Sequence, residues 1–313
     1  MVGVFRRSLS FPNKPNSGRS SPPSKPRISH HTRSVSLPCR SHPLISHINN
    51  EISQLKSWSS AAAGEMTDGF RRTSAWISDG LSLLKDVHET FSDILRLPQS
   101  QESLRNRPIF FETLLEDLLR FIDAYGIFQT SILSLRENNS GSQVALRKRD
   151  DAKITANLKS RQNLARDISR LTPSIRERKT TKHNFCHVSE SKSYGDAELA
   201  SVIGDVIDVT VFVSVALFNG VYFSFRQTKT TPFIGLLKRS EKKVRTGEGI
   251  EELRKIDEKS MSGLRRKRDE EVKILIKRTV ELENSIREIE CGSEKVFRSL
   301  INTRVSLLNA LTH

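Results

Sequence analysis

Apolar residues in this chain of 313 residues recur at steps of three and four within a few long blocks and are sparse between them. Ile45, Ile48, Ile52 and Leu55 share one face of a first helix, with Ser41 as its cap and Pro43 in its first turn. A second face is written by Trp76, Ile77, Leu81, Leu84, Phe91, Ile94 and Leu95, and Pro98 should stop it. A third helix starts at Pro108 and carries Phe111, Leu114, Leu115, Leu118, Phe121, Ile122, Tyr125, Phe128, Ile132 and Leu135. The run Asn138-Asn139-Ser140-Gly141 then reads as its break. The fourth spans about Gln143 to Leu171, with a narrow seam of Ile154, Leu158, Arg161, Leu164 or Ala165, Ile168 and Leu171 between basic faces. Polar loops are expected near 98–107, 136–143, 172–193 and 227–249.

Two further blocks decide the fold class. Leu199 to Phe225 contains VTVFVSVALF, which has the β-branched and aromatic density of a strand, but nothing else in the chain could pair with it, so a buried helix is expected. From about Ile250 to Thr312 a seam repeats through Val272, Leu275, Leu282, Ile286, Ile289, Val296, Leu300 and Leu307. Polar Thr279, Ser293 and Thr303 lie in the same register. Those polar positions and the number of partner helices favour packing within the chain; self-association through this helix is the competing use. The pattern thus predicts an all-α, elongated multi-helix bundle over residues 42–313 with a long, coiled-coil-like C-terminal helix.

Composition changes the picture at the N-terminus. Of the net charge of +15, the first fifty residues contribute eight Lys or Arg and no acid. Seven of the eleven prolines lie between Pro12 and Pro43. Few apolar groups stand there to offset the entropy of ordering, so residues 1–41 are expected to be a disordered, basic Ser/Pro/Arg-rich tail. Cys39, Cys186 and Cys291 are far apart, and the N-terminus has no apolar secretory core. An intracellular protein of the cytoplasm and nucleus is expected.

The tail spells one phrase twice, RSLSFP from Arg7 to Pro12 and RSVSLP from Arg33 to Pro38, 26 residues apart. Arg7 and Arg33 stand three residues before Ser10 and Ser36, where a basophilic kinase seeks charge, and Pro12 and Pro38 follow two residues after. A phosphate there would offer acceptor oxygens that an arginine cluster can clamp. This spelling is similar to the ligand of 14-3-3 proteins. A flexible tether of that length spans about 28 Å r.m.s., enough for a dimeric reader. Ser74, after Arg71 and Arg72, and Ser21, before Pro22, are weaker phosphoacceptor candidates. Two rival readings stand beside this one: chance repetition in a Ser-, Arg- and Pro-rich tail, and a chloroplast or mitochondrial transit peptide.

Several stretches together resemble a plant-specific family of unknown biochemical activity related to the BYPASS proteins of root and shoot development. They are SLPCRSHPLISHINNEI (Ser36 to Ile52), GLSLLKDVHETFSDILRLPQSQESL (Gly80 to Leu104), LLEDLLRFIDAYGIFQ (Leu114 to Gln129), ALRKRDDAKI (Ala145 to Ile154) and ECGSEKVFRSLINTRVSLLNAL (Glu290 to Leu311). The Leu97-Pro98 turn and the INTRVSLLN phrase are the most specific of these. The resemblance implies a role in plant growth or organ development and brings no catalytic residues with it.

Other chemistry is thin. Arg147-Lys148-Arg149 and Arg265-Arg266-Lys267-Arg268 could serve nuclear import or contact phosphates, but without aromatic interleaving or a zinc-finger spacing they do not promise sequence-specific nucleic-acid recognition. His183, Cys186 and His187, with Cys39 and His42, fall short of a structural zinc set, so no metal or cofactor is expected. No Gly-rich phosphate loop, nucleophile elbow or HExxH appears. The sequence therefore reads as a non-enzymatic interaction or adaptor protein, partnered by a kinase, a 14-3-3-type reader and other proteins. The alternative is a membrane-associated or organelle-imported helical protein, in which the uncharged stretch Val209 to Phe225 makes a peripheral membrane contact.

Overall fold

The computed structural model describes residues 43–64, 72–177, 194–226, 249–256 and 258–312, and every regular element among them is helical. The order is α1 (Pro43–Gly64), α2 (Ser74–Leu95), α3 (Pro98–Arg105), α4 (Pro108–Lys148), α5 (Asp151–Ser169), α6 (Leu171–Arg176) and α7 (Tyr194–Phe225). The short α8 (Glu251–Arg254) and α9 (Glu258–Met261), a 3-10 turn at Leu264–Arg266 and the long α10 (Asp269–Thr312) follow. These elements lie in one compact unit within Ser36–His313. The all-α class is the one that the apolar periodicity demands. The tail lies outside the described residues.

The seams meet in one core. α10 packs mainly on α2 and α4, α5 packs on α4 and α7, and α1 lies on α2. α4 and α10 run antiparallel: Gln129 donates to the Ser293 hydroxyl at 2.8 Å, Arg136 pairs with Glu290 at 2.8 Å, and a methyl group at Gly126 would meet Phe297 at 3.9 Å. α7 is a helix despite its β-branched density because it packs against α1, α2, α5 and α6, and Val206, Val213, Leu217, Phe218 and Val221 are buried there.

Several sequence expectations need correction. The loop expected at 98–107 is mostly α3. Pro98 does end α2, but it also sits at the first position of a new helix, where its missing N–H costs nothing, and Ser100 and Leu104 are buried. The break expected at 136–143 does not occur, since α4 runs through it to Lys148. Asn139 and Ser142 are buried there, and Asn139 donates from Nδ2 to the Thr279 carbonyl of α10 at 2.9 Å. Tertiary hydrogen bonds outweigh the weak helix propensity of the run. The true turn comes at Arg149, which takes a left-handed conformation at φ 53°. Asp150 then caps α5 by accepting from the Lys153 N–H at 3.0 Å, so the fourth helix begins at Asp151 rather than at Gln143. The loop expected at 172–193 opens with α6, which buries Leu171 and Ile175; positions 178–193, like 227–248, lie outside the described residues. The last block is not one helix from Ile250, because Gly263 turns the chain at φ 70° before α10 starts at Asp269.

Candidate interaction site

Of the phosphorylation motif, Arg7, Ser10, Pro12, Ser21, Arg33, Ser36 and Pro38 all lie outside the described residues. Ser74 is described, and its position does not suit a kinase. Thr73 caps α2 by accepting from the Trp76 N–H at 3.1 Å, which makes Ser74 the first helical residue, only 4% exposed. Its N–H donates to the Glu252 carboxylate at 2.9 Å, where a second anion would meet repulsion.

The C-terminal seam is used within the chain. Val272, Leu275, Leu282, Ile286, Ile289, Val296, Leu300 and Leu307 are all buried in the core, and so are Thr279, Ser293 and Thr303. Any contact that α10 makes with another molecule therefore uses other residues. Its outer face carries Ile301, Val305 and Leu308 in the open.

A second surface feature joins α1, α2 and α7. Trp58 and Trp76 stack with ring centroids 4.0 Å apart, and the Trp58 Nε1–H donates to the Trp76 carbonyl at 3.0 Å. Gly80 makes room for them, since a Cβ there would fall 2.3 Å from the Trp58 ring. Phe212 of α7 meets Trp58 edge-on at 6.0 Å and is 44% exposed, and the Arg72 guanidinium lies 5.8 Å from the Trp76 ring centre. α7 contains a stretch long and apolar enough to cross a membrane, but 61% of that stretch is buried inside the protein.

Two polar constellations lie in the interior. His88 of α2 is fully buried, with Nε2 3.0 Å from the Thr210 hydroxyl of α7 and Nδ1 3.3 Å from the Thr303 hydroxyl of α10. Ser92 completes the set, 3.1 Å from Thr303. Burial alone pushes the imidazole down to about 3, so it is a neutral tie between three helices. Arg161 of α5 is 2% exposed and bonds only neutral groups: Nε to Asn138 at 2.9 Å, and Nη2 to Asn139 at 3.1 Å and to Ser142 at 3.2 Å. Desolvation draws it down to about 10, and it stays charged at neutral pH. The seam spacing of α5 already places Arg161 inward. His88 was missed, although it falls in the same step between Leu84 and Phe91.

The two basic runs converge at one end of the fold. Arg149 donates from Nη1 to the Lys267 carbonyl at 3.1 Å and pairs with Asp269, while the Leu264 N–H donates to Asp151 at 2.8 Å. Arg147, Lys148, Arg265, Arg266 and Arg268 are exposed around this junction. Among the described residues no group of three His, Cys, Asp or Glu is placed to hold a metal ion, and His42, His183, Cys39, Cys186 and His187 are not among them.

The model of the Protein BPS1 family matches residues 80–310. The chain belongs to the Protein BPS1 family. No curated protein and no solved structure matches. The BPS1 span opens at Gly80, under the Trp58 ring, and closes at Ala310, whose carbonyl accepts from the Arg105 Nε–H at 2.8 Å. It takes in His88, Arg161, both basic runs and the α4–α10 pair, and it leaves α1 and both tryptophans outside its bounds. BPS1 membership suggests a developmental role.

Proposed function

We propose that this protein is a non-enzymatic adaptor in plant root and shoot development, whose N-terminal tail is phosphorylated at Ser10 and Ser36 and then held by a 14-3-3-type reader. The observation that carries the reading is the tandem Arg-Ser-x-Ser-x-Pro phrase in a stretch with no acidic residue. Basic charge before each serine suits a kinase, and two sites on one tether suit a two-pocket reader. Family membership supports the developmental setting. Against catalysis, the two richest polar constellations, around His88 and Arg161, are sealed in the core, out of a substrate's reach. The adaptor works in the cytoplasm and nucleus, where kinases and their readers meet it.

The test is the intact mass and phosphosite map of the protein from its own cells, followed by capture on a 14-3-3 protein. Residues 1–45 should be retained, with phosphate on Ser10 and Ser36. Ser10→Ala and Ser36→Ala should each weaken capture by about 100-fold, as expected when a bivalent ligand becomes monovalent. A mature chain starting near residue 40 would instead favour organelle import, and unphosphorylated protein recovered with membranes would favour Phe212 and its tryptophan neighbours as a peripheral anchor.

A further inference from the structure

We infer that Ser262 is a phosphorylation site for a basophilic kinase, and that phosphate there switches off the attraction of the basic junction for polyanions. The inference does not rest on the tail. A kinase takes its substrate in extended form, so a hydroxyl held in a helix or under other side chains is a poor acceptor. Among the described residues only two hydroxyls stand outside the helices, those of Thr73 and Ser262. Thr73 is half-buried and engaged as the cap of α2, whereas Ser262 is exposed between α9 and the 3-10 turn. Met261 and Leu264 are fully buried on either side, and the Leu264 N–H is tied to Asp151 at 2.8 Å. The fold thus pins both ends of the Ser262-Gly263 step and leaves the step itself outside. Gly263 turns at φ 70°, and beyond its chain neighbours nothing lies within 4 Å of where its Cβ would stand, so an enzyme can approach.

Charge selects the class of kinase and the effect of the phosphate. Lys259 stands three residues before Ser262, and Arg265, Arg266 and Arg268 stand three, four and six residues after it. The three arginines are exposed and form no ion pair with another described residue. Arg149 donates to the Lys267 carbonyl at 3.1 Å, which brings Arg147 and Lys148 of α4 to the same end of the fold. Two acids of the junction are already engaged, Asp151 by the Leu264 N–H and Asp269 by Arg149. In the transfer the Ser262 Oγ bonds to the γ-phosphorus of ATP as the bond to the β-phosphate oxygen breaks, the hydroxyl proton passes to the kinase's base, and ADP leaves. The product adds about two negative charges at the edge of the cluster. Arginines that would otherwise close on the phosphates of a polyanion then close on one belonging to their own chain.

The full chain purified from its own cells should carry phosphate on Ser262 by tandem mass spectrometry, whether or not Ser10 and Ser36 are occupied. The effect is read on full chain phosphorylated by a basophilic kinase and ATP, with labelled DNA as the polyanion, at about 50 mM salt. Phosphorylated wild type should bind about tenfold more weakly than Ser262→Ala taken through the same reaction, whose tail serines are modified alike. Its salt dependence should also be flatter, by about two phosphate contacts. Before the reaction the two proteins should bind equally and give the same far-UV circular dichroism. A map from cells that finds Ser262 only unmodified overturns the inference, and leaves the reading of the tail untouched. Equal binding by phosphorylated wild type and phosphorylated Ser262→Ala overturns it too, because the phosphate would then leave the junction's charge in place.

Discussion

His88 shares its pocket with three hydroxyls and no carboxylate, so a proton taken up there has nothing to neutralise it. Its folded value of about 3 lies below the ordinary 6.5. The unfolded chain therefore binds the proton first, and the stability that the neutral imidazole contributes is lost as pH falls from 6.5 towards 3. Between about pH 7 and pH 5 this amounts to about 2 kcal/mol. Glu51, pushed up by burial, works in the opposite sense, so the comparison must be between proteins at each pH. Urea unfolding should show wild type losing more stability over that interval than His88→Gln, which keeps hydrogen-bonding capacity without titrating. Equal losses would mean that His88 is solvated. Arg161 meets the same burial problem differently, with asparagine and serine oxygens on Nε and Nη2 of a charge that persists, while its buried Nη1 has no hydrogen-bond partner. Both residues show the limit of reading side chains one at a time: spacing places them inward, but only the partner helices say what they bond.

At the scale of elements, α4 is where local chemistry misleads. Two asparagines, two serines and a glycine between Asn138 and Ser142 have the composition of a loop, and the amides and hydroxyls that make it look so are satisfied by α5 and α10. If the stretch is helical interior, Gly141→Ala should stabilise the protein by about 0.5–1 kcal/mol, because alanine loses less backbone entropy there. A Cβ at Gly141 would meet Asn157 at 3.4 Å, an ordinary contact. Thermal melting checks this, and destabilisation would indicate a turn instead. The apolar seams of α1, α2, α5 and α10 were legible from period alone, because each buries one stripe against a neighbour. What period could not reveal is where polar residues continue a helix, as in α4, or where a proline opens one, as at Pro98. Both depend on contacts between segments far apart in sequence. The α10 seam was legible as a seam, and its polar positions already pointed to partners within the chain, though not to α2 and α4 in particular.

For the whole molecule the dominant quantity is a net charge of +15, and the fold concentrates part of it where α4 ends and α10 begins. Heparin and DNA of any sequence should be bound at about 50 mM salt and released by orders of magnitude near 200 mM, as counterion release dictates. Substituting Arg265, Arg266 and Arg268 by serine should flatten that salt dependence, measured by fluorescence anisotropy with labelled DNA. Binding that discriminates between DNA sequences would contradict a purely electrostatic origin. The class of fold and its family were readable before any coordinates, whereas the meeting of the two basic runs, separated by more than a hundred residues, was not. The tryptophan stack has an optical consequence. Both of the chain's tryptophans sit in that one stack, ring centres 4.0 Å apart. Intrinsic indole emission from this protein is therefore a local lamp: it reports the junction of α1, α2 and α7 and leaves the α4–α10 face dark.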